Sequence, residues 1–131
     1  MTLLMLDTDV SSYIIKRRPV SLLSRFERHA EELCVSVITA AELRFGAEKA
    51  NRPRLTELVE QFLERLSILD WNNAVTYHYA RLRSALEKAG TPIGNMDLLI
   101  AAHAMSEGAS LVTNNTTHFS HVPGLRLEEW K

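Results

Sequence analysis

Four large apolar residues in a row, Leu3-Leu4-Met5-Leu6, stop abruptly on Asp7-Thr8-Asp9. The run is too short for a helix and apolar at every position, which predicts a strand buried on both faces in the middle of a parallel sheet. Such a strand needs parallel neighbours and helices above and below it, so the opening residues already demand an α/β layout. They also put Asp7 at the carboxyl end of the strand, where open α/β sheets bind ligands. Asp9 reads as the N-cap of a helix from Val10 to Lys16, with Thr8 a competing cap. Asp7 lies one position too early for that role, and a carboxylate there needs a cation or hydrogen-bond donors.

The alternation continues along the chain. Pro19 marks a turn, and Leu22, Leu23 and Phe26 line an amphipathic helix. Leu33 to Val37 repeats the buried-strand pattern. Thr39-Ala40-Ala41-Glu42 has the form of a capping box, which predicts a helix from Thr39 toward Ala50 and offers Glu42 a purely structural partner. Leu55 to Leu66 recurs at three- and four-residue spacing, with an apolar face wider than one sheet contact needs. Ser67-Ile68-Leu69 is a third short strand. Asn72 or Asn73 opens a helix that Gly90 closes. Asn95 is the expected cap of a helix running to Gly108, with Asp97 in its first turn on the face of Ile100, Ala101 and Ala104. His103 reads as a hydrogen-bonded core histidine, and His118 and His121 as surface histidines of a polar loop. Ser110 to Thr113 is a fourth strand and Leu125 to Leu127 an edge strand.

The expected fold is therefore α/β: one domain over residues 1–131, with a four- to five-stranded, mainly parallel sheet flanked by helices on both faces. At 131 residues such a domain buries about two-thirds of its unfolded surface. One cysteine, Cys34, rules out an intrachain disulfide and fits the cytoplasm. No leader or membrane-spanning run is expected. Fifteen basic against sixteen acidic residues, net −1, argue against nucleic-acid binding by bulk charge. The basic residues are nevertheless concentrated in the first half, where Arg44 with Lys16, Arg17 and Arg18 are the candidates to meet a nucleic-acid backbone, although such clusters are usually solvated surface.

Under this architecture Asp7, Glu42 and Asp97 converge on one edge of the sheet, with Asn115 following the fourth strand. Two carboxylates ~4 Å apart repel by about 4 kcal/mol at an effective dielectric of about 20, so three require a neutralising group. Oxygen ligands of this kind select a hard divalent cation, and such a site suits hydrolysis of a phosphodiester.

The blocks Leu6-Asp7-Thr8-Asp9, Ser36 to Leu43 with Gly46, Asp97 to Ala104, and Leu111-Val112-Thr113-Asn114-Asn115 resemble the PIN-domain ribonuclease toxins of the VapC type over essentially the whole chain. The resemblance implies an endoribonuclease dependent on Mg²⁺, for which Mn²⁺ can substitute, with Asp7, Glu42 and Asp97 as catalytic metal ligands. Thr8, Thr113 and Asn115 would support them, and Asn115 could add an amide oxygen to the metal. The implied partners are a second copy of the chain in a homodimer, a VapB-type antitoxin, and operator DNA reached only through that antitoxin. Thr113 to Thr116 and Pro123 to Trp130 look most like the enteric branch, whose substrate is initiator tRNA cut in the anticodon stem-loop. Where many relatives have Asp or Glu after the fourth strand, this chain has Asn115 and His118. That departure predicts one tightly held cation and a second that arrives with the scissile phosphate.

Two rival readings remain at this level. Asp7-Thr8-Asp9-Val10 after an apolar strand is also similar to the nucleophile block of haloacid-dehalogenase phosphatases, which would need a lysine and a later acidic pair at strand ends. A catalytically inactive binding module could keep the fold and use the Leu55 to Leu66 surface for a partner.

Overall fold

A computed structural model describes residues 3–17 and 20–130. Arg18 and the turn at Pro19 lie outside the described residues. The elements are β1 (Leu4–Leu6), α1 (Thr8–Ile15), α2 (Val20–Arg28), a 3₁₀ turn (Ala30–Glu32), β2 (Leu33–Ser36), α3 (Val37–Ala50), α4 (Pro53–Glu64), β3 (Ser67–Leu69), α5 (Asn73–Ala89), α6 (Asn95–Ser106), β4 (Ser110–Val112), α7 (Thr116–Phe119) and β5 (Leu127–Glu128). The five strands run in the order β3-β2-β1-β4-β5. Every pairing is parallel, with Met5 opposite Cys34 on one side and Leu111 on the other. The apolar opening run is thus the central strand.

Alternation along the strands divides the interior in two. Leu4, Leu6, Leu33, Val35 and Val112 face one layer, where they meet Val10, Ile14, Phe26, Ala40, Leu43, Val59 and Phe62 from α1 to α4. Met5, Cys34 and Leu111 face the other, against Val75, Leu82 and Leu86 of α5 and Leu98, Ala101 and Ala102 of α6. Trp130, beyond the last strand, is fully buried in the first layer.

Helix starts differ from the sequence expectation in a consistent direction. Asp7, and neither Asp9 nor Thr8, caps α1: its Oδ1 accepts from the Val10 N–H at 2.8 Å. The capping box at Thr39 does not form. α3 begins two residues earlier, with the Ser36 hydroxyl accepting from the Ile38 N–H at 3.1 Å, so Glu42 is not needed by the backbone. α6 is entered from Gly94 without a side-chain cap, and Asn95 is its first residue. The last strand lies two residues beyond Leu125. Runs such as Asp-Thr-Asp and Ser-Val-Ile-Thr contain several residues able to cap, and strand length decides which of them is used.

Ser36 has a second partner. His103 of α6, fully buried, places Nδ1 2.7 Å from the Ser36 Oγ. The hydroxyl oxygen serves Ile38, so its proton is available to the ring, as in a neutral imidazole. Burial accordingly holds the His103 pKa below its ordinary value, against the opposing influence of Glu107. This bond ties the start of α3 to the middle of α6 through the sheet edge. Ser36→Ala should cost about 2–3 kcal/mol, by removing a cap and stranding a buried ring nitrogen. Denaturant unfolding measures it, and a loss under about 1 kcal/mol would show that the bond contributes little.

Candidate active site

β1 delivers Asp7, α3 delivers Glu42 from the first helical layer, and α6 delivers Asp97 from the second. They meet beyond the carboxyl ends of β1 and β4 in a pocket of about 190 Å³ lined by Asp7, Thr8, Asp9, Glu42, Asp97, Asn115 and Phe119. α3 starts at this edge because it follows β2, and α6 starts here because it must run back before β4.

Asp7 is the buried member, 4% exposed. Its N–H donates to the Val112 carbonyl at 3.0 Å, and its own carbonyl accepts from the Ser11 N–H and hydroxyl. The carboxylate is held by the Val10 N–H and by the Thr113 hydroxyl. Desolvation nevertheless pushes its pKa up to about 6, with the charges of Asp9 and Asp97 adding to the effect and the two hydrogen bonds opposing it. Thr113 is itself fully buried, and its hydroxyl oxygen accepts from the Asn115 N–H at 2.9 Å. The Asn115 amide makes no capping bond to α7 and lines the pocket.

Glu42 is tied to the first strand's exit. The Thr8 hydroxyl donates to its Oε1 at 2.6 Å. Because that proton is committed, the Thr39 hydroxyl, 3.2 Å away, is the donor in its contact with Thr8. Asp97 is less buried than its place on the helix face of Ile100 and Ala101 suggested, its side chain being 42% exposed. His118 Nε2 lies 3.0 Å from Asp97 Oδ2, at an angle outside hydrogen-bonding geometry. His118 is therefore part of the site and not simply a surface residue of its loop. Only the chain order after the fourth strand pointed to it, since a four-residue helix has no readable period. His121, by contrast, is exposed as expected.

The expected basic residues sit elsewhere. Arg44 is about 200° around α3 from Glu42. It makes a two-bond ion pair with Glu60 of α4, at 3.0 and 2.9 Å. Lys16 and Arg17 are exposed at the far end of α1, roughly 12 Å of helix from the acids.

Among the described residues no three acidic, histidine or cysteine side chains are close enough, as placed, to hold a metal ion together. Asp7, Glu42 and Asp97 share the pocket, with Glu42 drawn to Thr8 and Asp97 beside His118. The donor set still fits a hard cation. Every polar group lining the pocket offers oxygen, and the Asp7 carboxyl is raised chiefly by burial, with the charges of Asp9 and Asp97 adding to it. A bound cation would relieve that arrangement.

Comparison with known proteins gives the family. The sequence profile of the PIN domain matches residues 4–125. The chain is 49% identical over 127 residues to the ribonuclease VapC2 of Haemophilus influenzae, covering 96% of each. It is 41% identical over 127 residues to the tRNA(fMet)-specific endonuclease VapC of Shigella flexneri, again covering 96% of each. Among solved structures it is similar to a chain of the DNA-bound VapBC crystal structure from Salmonella typhimurium, with a TM-score of 0.95 and 40% identity over all of both chains. The haloacid-dehalogenase reading is thereby set aside, and the chain belongs to the PIN domain family, among its VapC members.

Proposed function

We propose that this protein is the ribonuclease toxin of a toxin–antitoxin pair, a metal-dependent endonuclease acting in the cytoplasm on initiator tRNA. The observation that carries the reading is the buried Asp7 carboxylate, raised toward neutrality in a pocket shared with Glu42, Asp97 and Asn115. Asp7, Glu42 and Asp97 would hold Mg²⁺ or Mn²⁺, with Asn115 able to add an amide oxygen. The cation supplies an activated water and offsets charge on the phosphodiester. Asp7 is oriented for this by the Val10 N–H and the Thr113 hydroxyl, and Glu42 by Thr8.

Identity to relatives named as ribonucleases supports the activity, and the tRNA(fMet)-specific name at 41% identity supports the substrate. Arg44 would reach RNA by exchanging Glu60 for a phosphate, a small cost because exposed ion pairs contribute only about 0–1 kcal/mol. The DNA-bound VapBC likeness supports a VapB-type partner that brings the toxin to operator DNA. We assign that partner to the groove between α1, α2 and α4, lined by Ile14, Leu23, Leu58 and Phe62 together with Arg17, Gln61 and Arg65. A homodimer completes the proposed assembly. Among the described residues no helix is long and apolar enough to cross a membrane.

The test is incubation of the purified chain with deacylated tRNA, with and without EDTA. A discrete cut in initiator tRNA, abolished by EDTA and restored by Mg²⁺ or Mn²⁺, is expected. Cleavage that survives EDTA would remove the metal from the reading, and intact RNA with Mg²⁺ present would leave the inactive binding module in its place.

A further inference from the structure

A second cleft adjoins the acid pocket, and Asn115 lines both. It is an open cleft of about 440 Å³ between the α5–α6 connection and α7, lined among others by Thr91, Ile93, Thr117, His118 and His121. That volume is within the range of pockets that enclose small organic ligands, roughly 300–1,000 Å³. The lining carries hydroxyls, an amide and two imidazoles, but no lysine, arginine, aspartate or glutamate.

Neutral donors and acceptors beside an apolar wall suit the edge of a nucleobase, whereas a phosphate site would call for arginine or lysine. The His118 ring packs edge-on to Phe119 at 5.3 Å and keeps 31% of its side-chain surface exposed, so it offers a face for stacking. We propose that this cleft receives the base of a nucleotide flanking the scissile phosphate in single-stranded RNA, and that His121 and Thr117 help select it. This deepens the ribonuclease reading and rests on it.

Thr117 and His121 are exposed, so Thr117→Trp, which fills the cleft, and His121→Ala, which opens it, should both fold normally. In the metal-free protein, each of the four nucleoside 5′-monophosphates is titrated while the imidazole C–H resonances of His118 and His121 are followed by NMR. At least one nucleotide should shift both, and Thr117→Trp should remove the response. In cleavage assays either variant should raise KM for RNA about 5- to 100-fold, the scale of one lost base contact, with kcat little changed. Absence of any nucleotide-dependent shift overturns the proposal, as does an equal response to inorganic phosphate, which would make the cleft a phosphate site. Unchanged KM in both variants also overturns it while the parent chain still cuts RNA. Failure of the parent chain to cut RNA instead removes the ribonuclease reading, and the NMR outcome still decides the cleft.

Discussion

Asp7→Asn is expected to abolish RNA cleavage and, in the absence of metal, to make the protein more stable at about pH 8. The folded carboxyl titrates at about 6 against an ordinary value of 3.8. Its folded form is therefore the better proton binder, so the associated stability is complete below about pH 4 and is lost as pH rises through about 6. Above that range the ionised, metal-free side chain costs the folded state on the order of 3 kcal/mol. Asparagine removes the charge but keeps an oxygen for the Val10 N–H, since it caps helices as well as aspartate does. The variant should melt higher than the parent at alkaline pH, and the difference should vanish near pH 4. Mn²⁺ should raise the parent's Tm and leave the variant's nearly unmoved. Cleavage should fall on the order of a thousandfold or more, as when an essential catalytic group is removed. A variant less stable than the parent at every pH would mean that Asp7 is there to hold the fold and not a cation.

The largest loss of stability is expected at the other end of the chain, from Trp130→Ala. Trp130 has no exposed surface, joins the core beneath α1 to α4, donates its indole N–H to Glu128 Oε1 at 3.1 Å, and lies 5.5 Å from the His29 ring. Removing a buried indole typically costs about 3–5 kcal/mol. That is a large part of the roughly 5–15 kcal/mol by which a domain of this kind is stable. Denaturant titration should show a fall of this size with an unchanged m-value, since the surface exposed on unfolding is nearly the same. A loss near about 1 kcal/mol would mean that the last strand and its tryptophan are an appendage on an already complete core.

The central strands were legible because burial on both faces leaves an unbroken apolar run: Leu3 to Leu6 carries one of four residues, Leu33 to Val35 one of three, and β4 the shorter pair Leu111-Val112. Their carboxyl ends then located Asp7 and the neighbourhood of Asn115 directly. Glu42 was harder to read. A sequence that matches a capping box gives the glutamate a local partner, and only the earlier start of α3 at Ser36 frees it to meet Thr8. Trp130 was hidden, and His118 was marked only by its place after the fourth strand, for a shared reason. β5 has two residues and α7 four, too few for either period to register, so nothing local marks one as core and the other as a neighbour of Asp97. Arg44 illustrates the opposite case: proximity to Glu42 in sequence becomes separation around a helix, and Glu60, distant in sequence, becomes its partner.

The strand order carries a consequence for how the protein comes into being. β1 leaves the ribosome before every other strand of the sheet, yet it is the middle of that sheet, and one of its two neighbours, β4, follows β2 and β3. Asp97 likewise emerges long after Asp7. A growing chain can form the β1–β2–β3 half and its helices, but it cannot shelter Leu6 and Met5 on the open side or bring Asp97 to Asp7 and Glu42. Fragments ended early by a stalled ribosome or a nonsense codon therefore lack an assembled site. Arrival of α6 and β4 supplies both the missing neighbour of β1 and Asp97. For a protein whose proposed target is the translation machinery that makes it, this delays activity until Asp97 and β4 have been made.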